Sequence, residues 1–222
     1  MPATIQLRLC PFALMSTTAL SATLVPEDQL GLSARSEVRE RQLLGRAYRR
    51  GLLAAALAAH PADLVFANTA LGKPYLRSHP LSFNCSHSRG AYALAWSAEI
   101  ASLGVDTEDE GRVTSMAPIA RSNFTVAEHY AWEQTQCSTT VWLTIWTRKE
   151  AALKYLGTGI RMPLDTVETG SPLDAQSLVD GPCGRLRLCS WRRQGQVLSL
   201  AYPAGDSPVT IVLDDGALRS VA

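Results

Sequence analysis

Two long helical patterns, one in each half of the chain and each followed by short strands, constrain this fold more than any other feature. The first opens near Ser33, a residue suited to capping a helix. It runs through Arg35, Glu37, Arg39, Leu43, Leu44, Tyr48, Leu52, Leu53 and Leu57, and stops before Pro61. The second spans roughly residues 138 to 156, after two shorter patterns at 114–122 and 125–136. Before the first helix, residues 4–10 alternate apolar and polar and read as a half-buried strand. After it come a short strand near Leu64–Phe66, a turn at Gly72-Lys73-Pro74, and strands over 83–88, 91–97 and 103–108. Pro163 and the stretch Gly170–Gly184 read as loops, and residues 185–191, 196–202 and 208–213 as closing strands. No internal repeat is visible, yet the layout predicts an α+β fold of two similar lobes, 1–108 and 109–222.

With 46% apolar and 18% charged residues, the chain has enough apolar side chain for a core and too little charge for disorder. A net charge of +1 gives no global attraction to nucleic acid or to a membrane surface. Five cysteines without a C-x-x-C pair support neither zinc nor a disulfide framework. Residues 9–25 faintly imitate a signal peptide, but Pro11, Ser16, Thr17, Thr18, Ser21 and Thr23 interrupt it, so a cytoplasmic protein is expected. Only three lysines occur, Lys73, Lys149 and Lys154; all other side-chain cations except histidine are arginine. Neither a P-loop nor a dinucleotide fingerprint is present.

Asp106 and Glu108 stand two apart on a predicted strand and so share a face. Adjacent carboxylates repel unless a cation lies between them, and Mg²⁺ is a natural partner. Taken alone, the pair fits a solvated acidic strand end, with Asp109 and Glu110 nearby, at least as well. Glu150 and Lys154 are four apart on the second long helix: either an ordinary surface ion pair, or a third metal acid with an ammonium beside it. Ser86, His87 and Ser88, next to Gly90, suit a phosphate contact. Ser86 and His87 do not suit a nucleophile pair, because neighbours on an extended strand point apart. The tryptophans at 132, 142, 146 and 191 read as core.

In order, Gly72-Lys73-Pro74, Phe83-Asn84-x-Ser86-His87-Ser88, Gly104-Val105-Asp106-x-Glu108, Phe124-x-x-x-Glu128 and Trp146-x-x-Lys149-Glu150-Ala151-x-x-Lys154-x-x-Gly157-x-Gly159 resemble the phosphopantetheinyl transferase superfamily. The Leu43-Leu44-Gly45…Arg50 helix and Pro163-Leu164-Asp165 are similar to its long, single-chain, surfactin-type branch. The resemblance implies a pseudo-two-fold α+β pair of lobes with coenzyme A in the cleft between them. It also implies transfer of 4′-phosphopantetheine to a serine of an apo acyl or peptidyl carrier protein, as a holo-acyl-carrier-protein synthase does, by a monomer using Mg²⁺. Carried over residue by residue, Asp106, Glu108 and Glu150 are expected to bind the metal, and Glu150, Lys154 and Glu128 to stand at the reaction. Lys73, Ser86, His87 and Arg50 are expected to hold coenzyme A. Thr107 departs from the usual Ile or Val between the strand acids. The arginines at 35, 39, 41 and 46 match no family pattern, but as a basic face they would suit an acidic carrier protein. No partner among nucleic acids or membranes is expected. Two rival readings share the acids: a phosphodiester enzyme acting on nucleotide diphosphates, and a non-catalytic coenzyme A-binding protein.

Overall fold

A computed structural model describes residues 2–16, 22–112, 114–158 and 161–214. Thr17, Thr18, Ser21 and Gly159 therefore lie outside the described residues. The strand AYALAWS, β5 (Ala91–Ser97), is buried along its whole length, which explains its unbroken apolar run. Tyr92, Leu94 and Trp96 pack with Leu44, Tyr48 and Leu52 of α1 (Ser36–Leu57). Ala91, Ala93 and Ala95 turn the other way, toward Val105, Leu198 and Leu200. The small alanines let that second face come close.

β5 is the centre of a four-stranded sheet in the order β10-β1-β5-β4, where β1 is Ala3–Pro11, β4 Ser82–His87 and β10 Val209–Asp214. β1 and β4 flank β5 antiparallel, and β10 adds to β1 in parallel. A second sheet has the order β6-β9-β8-β7, all antiparallel: β6 is Gly104–Asp109, β7 Gln176–Gly181, β8 Gly184–Arg193 and β9 Gln196–Pro203. Strand, long helix and hairpin recur in both halves. β1–α1–β4–β5 pairs as β1-β5-β4, and β6, α4 (Thr139–Leu156), β8 and β9 pair as β6-β9-β8. This is the expected α+β fold. The predicted lobe boundary at residue 108 falls near the end of β6, a strand bonded into the second sheet, while β10 returns to the first.

The remaining elements are a small hairpin of β2 (Phe66–Asn68) and β3 (Pro74–Leu76), and two short helices, α2 (Met116–Asn123) and α3 (Val126–Gln134). Three sequence expectations shift. Pro74 opens a strand, so Gly72-Lys73-Pro74 is the hairpin's turn and its exit. The stretch 170–184 is not all loop: β7 lies within it, hidden in the sequence because it is a largely exposed edge strand paired only with β8. Ser33 does not cap α1. The helix begins at Ser36, and the Ser33 hydroxyl accepts from Arg35 N at 3.2 Å instead. Trp132, Trp142 and Trp146 pack in the core around α4, with Trp142 and Trp146 stacked. No helix among the described residues is long and apolar enough to cross a membrane.

Candidate active site at the seam between the sheets

β4 and β6 lie side by side where the two sheets meet, but they are not neighbours in either ladder. Side chains at alternate positions, two on β4 and one directly after it, bridge them. Asn84 Oδ1 accepts from Val105 N at 2.9 Å, Ser86 Oγ donates to Asp106 Oδ1 at 2.7 Å, and Ser88 Oγ donates to Asp109 Oδ1 at 3.1 Å. The odd positions, Phe83 and Cys85, face the α1 side. His87 continues that alternation, away from Ser86.

On the other flank α4 packs directly on β6. A Cβ at Gly104 would meet the Ala151 carbonyl oxygen at 2.0 Å, so only glycine permits this approach. It brings Lys154 to Asp106: Lys154 Nζ donates to Asp106 Oδ1 at 2.6 Å and to Ser86 Oγ at 2.7 Å. Of the two readings of Glu150 and Lys154, the ordinary surface pair is not what forms: Lys154 pairs with the strand acid Asp106. Burial pulls the Lys154 ammonium down, but the charges of Asp106 and Glu150 outweigh it and hold Lys154 above its usual range. Burial and the Asp106 charge raise the Glu150 carboxyl. The same two causes push Glu108 up to about 7, against the pull of Arg112, which is hydrogen-bonded to it. Burial, and then repulsion from Lys154 and Arg41, lowers His87.

Asp106 is 5% exposed, and its second oxygen, Oδ2, is buried with no hydrogen-bond partner. A bare buried carboxylate oxygen is costly unless something cationic meets it. Among the described residues no three acids, histidines or cysteines are grouped so as to hold a metal ion; Lys154 is bonded to Asp106 and Arg112 to Glu108. The donor chemistry of Asp106, Glu108 and Glu150 nonetheless suits a hard cation: all are carboxylates, and Asp106 Oδ2 has no hydrogen-bond partner.

Three expected site residues lie elsewhere. Glu128 is 2% exposed and bonded to Lys149 at 2.6 Å, Thr125 N at 2.9 Å and the Thr169 hydroxyl at 2.6 Å. It closes a capping box with Thr125 at the start of α3 and welds that helix to α4. It belongs to a buried brace, apart from the Asp106 cluster. Arg50 is likewise buried, donating to Asp28 Oδ2 at 2.6 Å and to the carbonyls of Pro61 and Leu64 at 2.9 and 2.8 Å. Lys73 Nζ donates to Ser102 Oγ, Leu103 O and Tyr155 O at 2.9, 3.2 and 2.7 Å, which uses all three of its hydrogens. Burial lowers its pKa to about 8.

Sequence reasoning passed over Arg112, which engages Glu108 and lies over the Trp146 ring at 5.8 Å. It also passed over Arg148, fully buried, which donates to Thr169 O, Ser171 O and Ser190 Oγ at 3.1, 2.8 and 2.8 Å. With Lys149, bonded to Leu164 O and Val167 O, it pins the segment after α4 to the helix. Breaking a buried pair on one side leaves an uncompensated charge. Glu128→Ala should therefore lower stability by about 3–5 kcal/mol, and Lys149→Met in the same chain should restore part of it. Denaturant unfolding checks both. A wholly catalytic Glu128 would instead lose turnover with stability intact.

A sequence model of the 4′-phosphopantetheinyl transferase superfamily matches residues 102–212. The chain belongs to this superfamily. The match takes in β6, α4 and the second sheet, hence Asp106, Glu108, Glu150 and Lys154, while Ser86 and His87 precede it. A search of curated proteins finds no match. Membership of the phosphopantetheinyl transferases implies coenzyme A as phosphopantetheine donor and carrier proteins as acceptors.

Proposed function

We propose that the protein transfers 4′-phosphopantetheine from coenzyme A to a serine of an apo acyl or peptidyl carrier protein, releasing adenosine 3′,5′-bisphosphate. The observation that carries this is the buried, unpartnered Oδ2 of Asp106 beside the Lys154 ammonium. Asp106, Glu108 and Glu150 would hold Mg²⁺, which supplies charge for the diphosphate when bound. The serine oxygen forms a bond to the phosphorus bearing pantetheine, and the bond from that phosphorus to the bridging oxygen breaks. Lys154 offsets the charge that gathers on the departing bisphosphate. Glu150, its carboxyl raised above the usual range, is suited to take the serine proton. His87 and Ser86, on opposite faces of β4, meet phosphate oxygens from two sides of the strand. Lys73 contributes by anchoring the Gly72–Pro74 turn to the end of α4, and Arg50 by holding α1 to the segment around Asp28.

Arg35 and Arg39, exposed at the start of α1, offer a basic edge to an acidic carrier. The surfactin-type branch, a monomer and a cytoplasmic setting belong to the same reading. The test is incubation with coenzyme A, Mg²⁺ and a panel of apo carriers, read by the mass shift of the carrier. The shift should appear with at least one carrier, vanish with EDTA and return with Mg²⁺. Release of free phosphopantetheine without carrier would favour hydrolysis, and coenzyme A binding without any product would favour a silent binding protein.

A further inference from the structure

The carboxylate of Asp109 gathers four donors. Oδ1 accepts from Ser88 Oγ at 3.1 Å, from Gly90 N at 3.1 Å and from Gln196 Nε2; Oδ2 accepts from Arg89 N at 3.0 Å. Three of these come from the turn joining β4 to β5, and the fourth from the first residue of β9. One side chain at the end of β6 thus fastens a turn of the first sheet to the second sheet. Ser88 Oγ, while donating to Asp109, accepts from Gly90 N and Ala91 N at 3.1 and 3.0 Å, so the turn is held from inside as well.

What this turn carries gives the contact its meaning. It starts directly after His87, and the Arg89 carbonyl accepts from Arg41 Nη1 of α1 at 3.5 Å. The fit is tight: a Cβ on Gly90 would stand 2.7 Å from Asp109 Oδ1. Asn84 and Ser86 join the same two strands further along the seam, but each acts through one oxygen. Asp109, at the end of β6, is the last of these bridges and acts through both oxygens.

We infer that Asp109 is a positioning residue for coenzyme A: by clamping the 88–90 turn it sets the place of His87 and Ser86 relative to Asp106. The inference rests on the transferase reading. Asp109 touches no reacting atom in it, and acts through the turn.

Two changes disturb the same junction from opposite sides. Asp109→Ala removes the acceptor; Gly90→Ala keeps the acceptor and pushes the turn away from it. Both should raise the coenzyme A KM by about tenfold or more with the KM for carrier unchanged, and calorimetry should show coenzyme A binding weakened to match. Asp109→Asn, which keeps one oxygen acceptor, should fall between these and the wild type. A merely structural role lowers the active fraction and hence apparent kcat, with both KM values left where they were. That pattern, or coenzyme A affinity equal to wild type in Gly90→Ala and Asp109→Asn, overturns the inference, even where Asp109→Ala does not fold. If the wild type binds coenzyme A but modifies no carrier, the transferase reading fails, and calorimetry on the three variants still decides the role of Asp109. If the wild type binds no coenzyme A, both fall.

Discussion

Asp106→Ala is expected to reduce transfer by about three orders of magnitude or more while the fold persists. Asp106 is the point where three elements meet: β6 carries it, β4 supplies the Ser86 hydroxyl, and α4 supplies Lys154. Its Oδ2 is buried without a hydrogen-bond partner. Losing the carboxylate removes that oxygen and releases Lys154 from its place. The cost to stability should stay near about 2 kcal/mol, the scale of charged hydrogen bonds, because the Lys154 side chain is 29% exposed and can reach water. Asp106→Asn separates charge from shape, since it keeps the hydrogen-bonding outline and loses the anion; it should be nearly as inactive as the alanine variant. Glu108→Ala, in which Arg112 is also freed, should be similarly impaired. A carrier mass-shift time course with a parallel circular dichroism melt reads all three, and near-normal transfer by any of them would remove that acid from the metal site.

Lys154→Ala should slow turnover by about two orders of magnitude or more and also lower the melting temperature, because it leaves the buried Asp106 carboxylate with Ser86 as its remaining partner. The ammonium spends two of its hydrogens on Asp106 and Ser86, which leaves one free for a phosphate oxygen. That arithmetic separates it from the other two lysines. Lys73 and Lys149 have all three hydrogens committed to protein oxygens. Lys154→Arg keeps the charge but puts a planar fork where a compact point charge fits between Ser86 and Asp106. Activity of the arginine variant near wild type would mean that charge alone suffices. A loss like that of alanine would assign the effect to geometry, and full activity in both variants would exclude Lys154 from the reaction.

What was legible in the sequence followed local periodicity. The two-residue spacing of Asp106 and Glu108 placed both on one face of the strand, the face on which Gly104 and Asp106 meet α4. The argument that Ser86 and His87 point apart matches the seam, where Ser86 reaches Asp106 and the residues on either side of it, Cys85 and His87, alternate away. The four-residue spacing of Glu150 and Lys154 left a surface pair and a site ammonium both open, because it describes the helix alone and not the strand that α4 rests on. Glu128 carried a readable signal: Thr125-x-x-Glu128 is a capping box, which already explains an acid at that position. Arg50 carried none. Its partner Asp28 is 22 residues away, beyond the reach of any helical or strand period. Likewise no spacing reports that Lys73 ends among the carbonyls of Leu103 and Tyr155.

The parallel pairing of β1 with β10 has a consequence for how the chain is made. Ala3 and Val209 lie opposite one another, about 200 residues apart in sequence. A ribosome therefore delivers β1 long before the strand that covers its outer edge. Until β10 emerges, that edge presents open backbone donors and acceptors, a template for the wrong neighbour. The first sheet is the first to be synthesised and the last to be completed, so slow or interrupted synthesis endangers the half of the molecule that looks, by position, the safest.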